Sequence, residues 1–144
     1  MAMFIFPNAF AGLVNADLLF LCQDGGLSFN TATVQGVQLF EVVYHPFTTP
    51  ILGTPCELLD LLINNFPAGG DIVIIGGQST DVIAGVPLKD RGGAHLFVPG
   101  SVPGTFDAAV TYDVTLCNGV GYVCFDLANN CIPFPRPVIL FHEL

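Results

Sequence analysis

Hydrophobic and polar residues alternate most regularly between Phe106 and Leu127, where two alternating runs flank Asn118-Gly119. This dipeptide between such runs is the strongest short-range signal for a β-hairpin with a two-residue loop. The loop fixes the register, which pairs Val114 with Val123, Tyr112 with Phe125 and Val110 with Leu127 on a core face. The opposite face would meet solvent or a partner and carries Thr111, Asp113, Thr115, Cys117, Tyr122, Cys124 and Asp126. We expect this hairpin to be central.

Shorter hydrophobic runs between turn residues predict further strands along the chain. They are Met3 to Phe6, Leu18 to Cys22, Leu27 to Phe29, Thr33 to Tyr44, Asp71 to Ile75, Val82 to Val86, Ala94 to Val98 and Val138 to Phe141. Gln23 to Gly26 would form a second hairpin turn, and Gly36 a bulge or bend. The even spacing predicts a mainly β fold, an antiparallel β-sandwich or jelly roll of about eight to ten strands. We expect one domain over 1–144.

One helix is predicted, over about residues 55–65. Thr54 is a suitable N-cap, Pro55 suits the first helical position, and Glu57 follows the cap by three residues. Leucine and isoleucine continue the helix until the Asn64-Asn65 pair and the glycines beyond it. We expect this short helix to pack over one end of the sandwich.

The composition predicts an unusually apolar surface for a β-rich domain. Charged residues are only 10% of the chain, 52% are hydrophobic, and the mean hydropathy is +0.68. Ordinary soluble domains have about 25% charged residues, so a lone monomer would expose unusually extensive neutral and apolar surface. No run reaches the ~18 apolar residues of a membrane-spanning helix. We therefore expect the partners to be copies of the chain itself.

The charge balance and the polar residues exclude several functions. Three basic residues against twelve acidic ones, a net charge of −9, disfavour nucleic-acid binding. His45, His95 and His142 are scattered, and Ser79 and Ser101 lie outside any Gly-x-Ser-x-Gly elbow. The Gly76-Gly77 turn lacks the lysine of a phosphate loop. The sequence thus predicts no enzyme, no cofactor and no metal site.

The five cysteines leave two interpretations open. Cys22, Cys56, Cys117, Cys124 and Cys131 show no Cys-x-x-Cys or zinc spacing, and their odd number leaves at least one unpaired within the chain. In the predicted hairpin Cys117 and Cys124 lie too far apart to bond to each other. All five are candidates for disulfides between subunits, which persist in an oxidising setting. Alternatively they are reduced and buried as small hydrophobic residues.

These observations favour a structural, self-assembling subunit of a filament, coat or shell. The profile is similar in character to small β-sandwich subunits of virus coats and bacterial spore surfaces, by analogy and not through a motif. An extracellular appendage or particle surface is favoured as location, although the N-terminus lacks the charged region of a signal peptide. The alternative is a β-sandwich binding module for an apolar ligand or a protein partner.

Overall fold

A mixed six-stranded sheet forms the centre of the computed structural model, which describes residues 2–34, 36–65, 71–83, 85–96, 108–115, 123–125, 127–128, 131–133 and 135–144. The strands of this sheet are β1 (Met3–Ile5), β2 (Leu27–Val34), β3 (Val37–Tyr44), β4 (Ile72–Gly77), β7 (Gly93–Leu96) and β8 (Ala108–Asp113). Two small antiparallel pairs accompany it: β5 (Val82–Ile83) with β6 (Val86–Pro87), and β9 (Val123–Phe125) with β10 (Cys131–Pro133). The helices are α1 (Ala11–Leu21), α2 (Pro55–Asp60), α3 (Leu88–Arg91) and α4 (Arg136–Glu143), and a π-helical turn (Leu61–Asn65) continues α2.

The six strands stand in the order β2-β3-β1-β4-β8-β7. β1 and β4 are parallel, as are β4 and β8, whereas the pairs β2–β3, β1–β3 and β7–β8 are antiparallel. The strand-rich prediction is confirmed, and the expectation of purely antiparallel sheets is wrong. A sandwich or jelly roll is not confirmed. Alternation identifies strands, but parallel neighbours arise from long crossover connections that alternation does not reveal.

The predicted pairing of the Phe106 to Leu127 hairpin is wrong over the described residues. Both edges of β8 are already bonded, since Tyr112 pairs with Gly76 of β4 and with Gly93 of β7. Phe125, its expected partner, pairs with Cys131. Val110 likewise pairs with Ile74 and His95, and Val123 pairs with Pro133. Asn118-Gly119 lie outside the described residues.

The predicted faces of this segment are half right. Val110, Tyr112 and Val114 are buried in the main core, as expected. Thr111 and Asp113 are buried too, although a solvent or partner face was expected. β8 has a strand on each side, and the face that carries Thr111 and Asp113 also holds a second buried cluster. That cluster consists of Phe4, Leu39, Val73 and Ala109.

Helices α1, α2 and α4 each bury part of their apolar residues in the main core on one face of the sheet. Val14 and Leu18 of α1 and Leu140 of α4 are fully buried there. Two predicted strands are therefore wrong, because Leu18 to Leu21 belongs to α1 and Val138 to Phe141 to α4. α4 begins directly after Pro135 and has Pro137 in its first turn, where proline is tolerated because the N–H groups of that turn have no partner within the helix.

The predicted strand Thr33 to Tyr44 is interrupted by a turn: Thr33 and Val34 end β2, which begins at Leu27, and β3 covers Val37–Tyr44. Val34 pairs with Val37, so the turn between β2 and β3 is tight and includes Gly36. Gly36 has φ +80°, which explains why glycine stands at the predicted bend. The predicted hairpin turn at Gln23 to Gly26 joins helix α1 to β2.

Local predictions for α2, β1 and β4 are confirmed. The Thr54 Oγ1 accepts from the Glu57 N–H at 3.4 Å, and Glu57 Oε2 accepts from the Gly53 N–H at 2.8 Å. These bonds cap α2, which begins at Pro55 and whose π-helical continuation ends at Asn65. β1 and β4 lie where expected. The single strand predicted over Val82 to Val86 is instead split between two short antiparallel strands, β5 and β6. β7 covers part of the predicted strand Ala94 to Val98.

Candidate assembly surface

β2 forms one edge of the sheet and is hydrogen-bonded only to β3 among the described strands. Its eight residues, Leu27–Val34, include no charged residue and no proline. Ser28, Asn30, Thr31 and Thr33 are exposed. Natural proteins usually blunt such an edge with charge, proline, a bulge or a very short strand. β2 has none of these protections.

The other edge, β7, is shorter and partly covered. Its described part has four residues, Gly93–Leu96, and α4 packs beside it. The His95 Nδ1 lies 2.6 Å from the backbone oxygen of Glu143, and a Cβ placed on Gly93 would meet the Glu143 side chain. The two edges therefore differ in length and in access, and β2 is the edge open to another strand.

Exposed apolar side chains lie in the connection between β3 and α2. Phe47, Ile51 and Leu52 are 78%, 76% and 85% exposed. Leu19 and Phe20 near the end of α1 are exposed as well. Contiguous exposed apolar surface usually marks a contact with another molecule, and the three residues of the connection lie within six positions of one another in the chain.

The structure separates two cysteines that are bonded to each other from the other three. Cys22, just after α1, and Cys56, in the first turn of α2, form a disulfide within the chain with their Cα atoms 4.9 Å apart. These two are therefore not available to bridge subunits, which corrects their assignment as intersubunit candidates. Cys124 pairs with Ile132 and Cys131 with Phe125 in the β9–β10 ladder. Cys117 lies outside the described residues, so Cys117, Cys124 and Cys131 remain candidates.

Asp24 organises the turn beside this disulfide. Its carboxylate accepts from the Gly26 N–H at 2.8 Å and from the Tyr44 hydroxyl. Burial raises the pKa of Tyr44, and the hydrogen bond to Asp24 raises it further. Asp24, Cys22 and Cys56 place three possible metal-ligand atoms within 4.8 Å of one another, but the disulfide occupies both sulfurs. With both sulfurs in the disulfide, the carboxylate of Asp24 stabilises the turn through Gly26 and Tyr44.

A buried polar cluster joins α1, β8 and α4. Asp17 is 2% exposed, accepts from the Tyr112 hydroxyl at 2.7 Å and pairs with Arg136 at 3.1 Å. Burial raises the pKa of Asp17, and the bonds to Tyr112 and Arg136 oppose that rise. Burial and the nearby Asp17 charge also raise the pKa of Tyr112. With all three side chains engaged with one another, the cluster serves to hold the helices on the sheet.

The carboxyl ends of the parallel strands β1, β4 and β8 are the place where many α/β proteins bind ligands. Asn8 Nδ2 donates there to the Gly76 carbonyl at 2.8 Å. Ser79 Oγ lies 3.1 Å from Thr115 Oγ1, which in turn donates to Asp113 Oδ1 at 3.1 Å. The Ser79 N–H donates to the same Thr115 oxygen at 2.9 Å. These contacts tie the loops together, so Ser79 has a structural role here.

The predicted absence of a histidine site stays a prediction. His45 follows β3, His95 lies in β7 and His142 in α4. Over the described ranges, the one group of three potential metal-ligand side chains is the Cys22, Asp24 and Cys56 cluster, which includes no histidine. Ser101 lies outside those ranges. Sequence reasoning missed Asp17, whose signal was an acidic residue within an apolar helical run.

Comparison with protein-family models, with curated proteins and with solved structures found no match to this chain. None of the helices in the described part of the chain has the length and apolar character required to cross a bilayer. The surface features described above are therefore the basis for assigning a function.

Proposed function

We propose that this protein is a structural subunit that self-assembles into a filament, coat or shell on the outside of a cell or particle. The observation that carries the proposal is the open edge of β2, eight residues long and free of charge and proline. An unpaired edge is a template for another strand, and burial of neutral surface favours association. The partners are further copies of the chain.

The exposed apolar connection between β3 and α2 supports a second contact. Phe47, Ile51 and Leu52 belong to this connection and not to β2, so a subunit that used both would make two different contacts. Two distinct contacts are needed for growth beyond a closed pair, because a single self-complementary surface is used up in a dimer. Cys117, Cys124 and Cys131 would reinforce such contacts as bridges between copies in an oxidising setting.

The experiment is a concentration series followed by light scattering and electron microscopy of the purified protein. We expect particles larger than a monomer whose size rises with concentration. Thr31→Lys places a charge on the β2 edge and should reduce assembly, whereas Thr80→Lys, the same substitution in an exposed turn after β4, should not. A wild-type protein that stays monomeric at every concentration would overturn the proposal.

A binding module is the second candidate, favoured by a surface hollow of about 200 Å³ next to the disulfide. It is lined by Asp24, Thr48, Thr49, Pro50, Ile51, Thr54 and Cys56. Small-molecule sites usually measure about 300–1,000 Å³. The size therefore favours a side chain of a protein partner over an apolar ligand. Uptake of a partner segment by a dilution-stable monomer would support this candidate.

A further inference from the structure

Along β2, the backbone N–H and C=O groups point alternately toward β3 and toward the open edge. The His45 N–H donates to the Gly26 carbonyl at 3.0 Å, which makes Gly26 and His45 a hydrogen-bonded pair beside the pair Leu27–Tyr44. Bonded and non-bonded pairs alternate in an antiparallel ladder. The even-numbered residues of β2 thus bond to β3, and the odd-numbered ones direct N–H and C=O away from it. The latter are Leu27, Phe29, Thr31 and Thr33, and no described residue bonds to these groups.

An identical strand can satisfy all of these groups in one register. Two copies of β2 that meet antiparallel about a two-fold axis perpendicular to the sheet keep their faces aligned, so odd residues pair with odd residues. An axis between the two Asn30 residues pairs Leu27 with Thr33 of the second copy and Phe29 with Thr31 of the second copy. The two-fold symmetry repeats both pairs, which gives four in total. Each of these four pairs forms two hydrogen bonds. A shift of two residues leaves Leu27 or Thr33 of each copy unpaired.

We infer that the building block of the assembly is a two-fold dimer in which the β2 strands pair antiparallel, with Asn30 opposite Asn30. This inference rests on the proposed function and adds the partner surface and its register. The two sheets become one continuous sheet across the axis. Asn30 is exposed, and the Cα atoms of such a non-bonded pair lie about 4.5 Å apart, so the two side-chain amides can bond to each other.

β7 is a poorer partner for β2 than a second β2. The Asp113 N–H donates to the Gly92 carbonyl at 2.7 Å, so Gly93 and His95 are the β7 residues whose backbone groups point away from β8. Over the described part of β7, a β2–β7 contact would therefore pair only two of the four outward-facing residues of β2. The chemistry of the edge favours self-pairing over a head-to-tail contact.

The test places charge on the two-fold axis. Asn30→Asp brings two carboxylates face to face and should raise the dimer Kd by about ten- to hundredfold, from the repulsion of unit charges about 6 Å apart. Ser28→Asp is the matched control, since it adds the same charge to the same face but lies opposite Ala32 of the second copy. Asn30→Lys should also weaken the dimer. An equimolar mixture of Asn30→Asp and Asn30→Lys should restore dimers as heterodimers.

Sedimentation velocity over a concentration series measures these constants, and circular dichroism shows that each variant is folded. Asn30 pairs with Glu41 of β3, so Asn30→Asp can destabilise the monomer, whereas Asn30→Lys faces an opposite charge and keeps the test valid. Two outcomes would overturn the register and leave the proposed function standing: the wild type assembles but the Asn30 variants have the same dimer Kd as Ser28→Asp, or the mixture forms no heterodimer. A monomeric wild type would overturn both.

Discussion

Removal of the Cys22–Cys56 disulfide should lower the free energy of unfolding by about 4 kcal/mol. The bond joins residues 34 positions apart, and the chain entropy that such a loop removes from the unfolded state corresponds to about that value at 25 °C. The double variant Cys22→Ser/Cys56→Ser is the proper perturbation, because a single substitution would leave a reactive thiol beside the α1–α2 junction. Cys22 is also buried, so its replacement by serine adds a smaller polar cost.

Urea unfolding followed by circular dichroism measures the effect under non-reducing conditions. With a slope of about 2 kcal/mol per M, the midpoint should fall by about 2 M. Reductant should produce a comparable loss in the wild type and none in the double variant, which separates this bond from any effect at the other three cysteines. The unfolded, non-reduced wild-type monomer should offer at most three titratable thiols.

Two results would refute the reasoning. A double variant within about 1 kcal/mol of the wild type would show that the bond does not constrain the unfolded chain as the loop-entropy argument requires. Five titratable thiols in the intact unfolded protein would show that the bond is not formed. The second result would also return Cys22 and Cys56 to the set of cysteines available for contacts between subunits.

Three further predictions concern the stability of the folded chain. Because burial raises the pKa of Asp17, the folded state binds a proton there more tightly than the unfolded state, so the free energy of unfolding falls as pH rises above the ordinary pKa of 3.8. Asp17→Asn removes this titration, so in urea titrations its stability relative to the wild type should increase as the pH is raised. A difference that stays constant with pH would contradict this. Gly36→Ala should lower stability by about 1 kcal/mol because Gly36 has a positive φ, whereas Gly12→Ala, in α1 with open space around the added methyl group, should raise it by up to about 1 kcal/mol. Thermal melts compare the two variants, and equal shifts in Tm would contradict the positive φ of Gly36 in the turn. Thr54→Ala should cost about 1 kcal/mol through loss of the α2 cap, with Thr80→Ala as an uncapped surface control.

Local signals in the sequence were sufficient for some elements. The cap of α2 depends only on Thr54, Pro55 and Glu57, which are adjacent in the chain, and its start was predicted correctly. β1 and β4 are short apolar runs with strand-forming residues, and they also lie where predicted. In each case the residues that determine the element are within a few positions of it.

The remaining errors come from non-local contacts. Leu18 to Cys22 is apolar on every side, including the exposed Leu19 and Phe20, so periodicity could not distinguish a helix from a strand. The hairpin expected around Asn118-Gly119 assumed that β8 pairs with the next strand along the chain, whereas its neighbours β4 and β7 both precede it.

The candidate surface was predictable only in its chemistry. The absence of charge from Leu27 to Val34 is visible in the sequence, but its position at a sheet edge depends on the pairing of all six strands. The partner of Cys22 was hidden for the same reason, because the contact with Cys56 requires the end of α1 to meet the start of α2.

The central position of β1 has a kinetic consequence. β1 bonds to β3 on one side and to β4, which begins at Ile72, on the other, so the sheet cannot close until residues far along the chain have arrived. Folding that depends on such distant contacts usually takes milliseconds to seconds, whereas a hairpin such as β2–β3 forms within microseconds. During that interval the hairpin has two open edges, the outer edge of β2 and the edge of β3 that β1 later covers. At high concentration, newly made chains can therefore pair with one another through the open edge of β3 before β1 binds there. Rapid pairing of β1 with β3 favours the folded subunit over the aggregate.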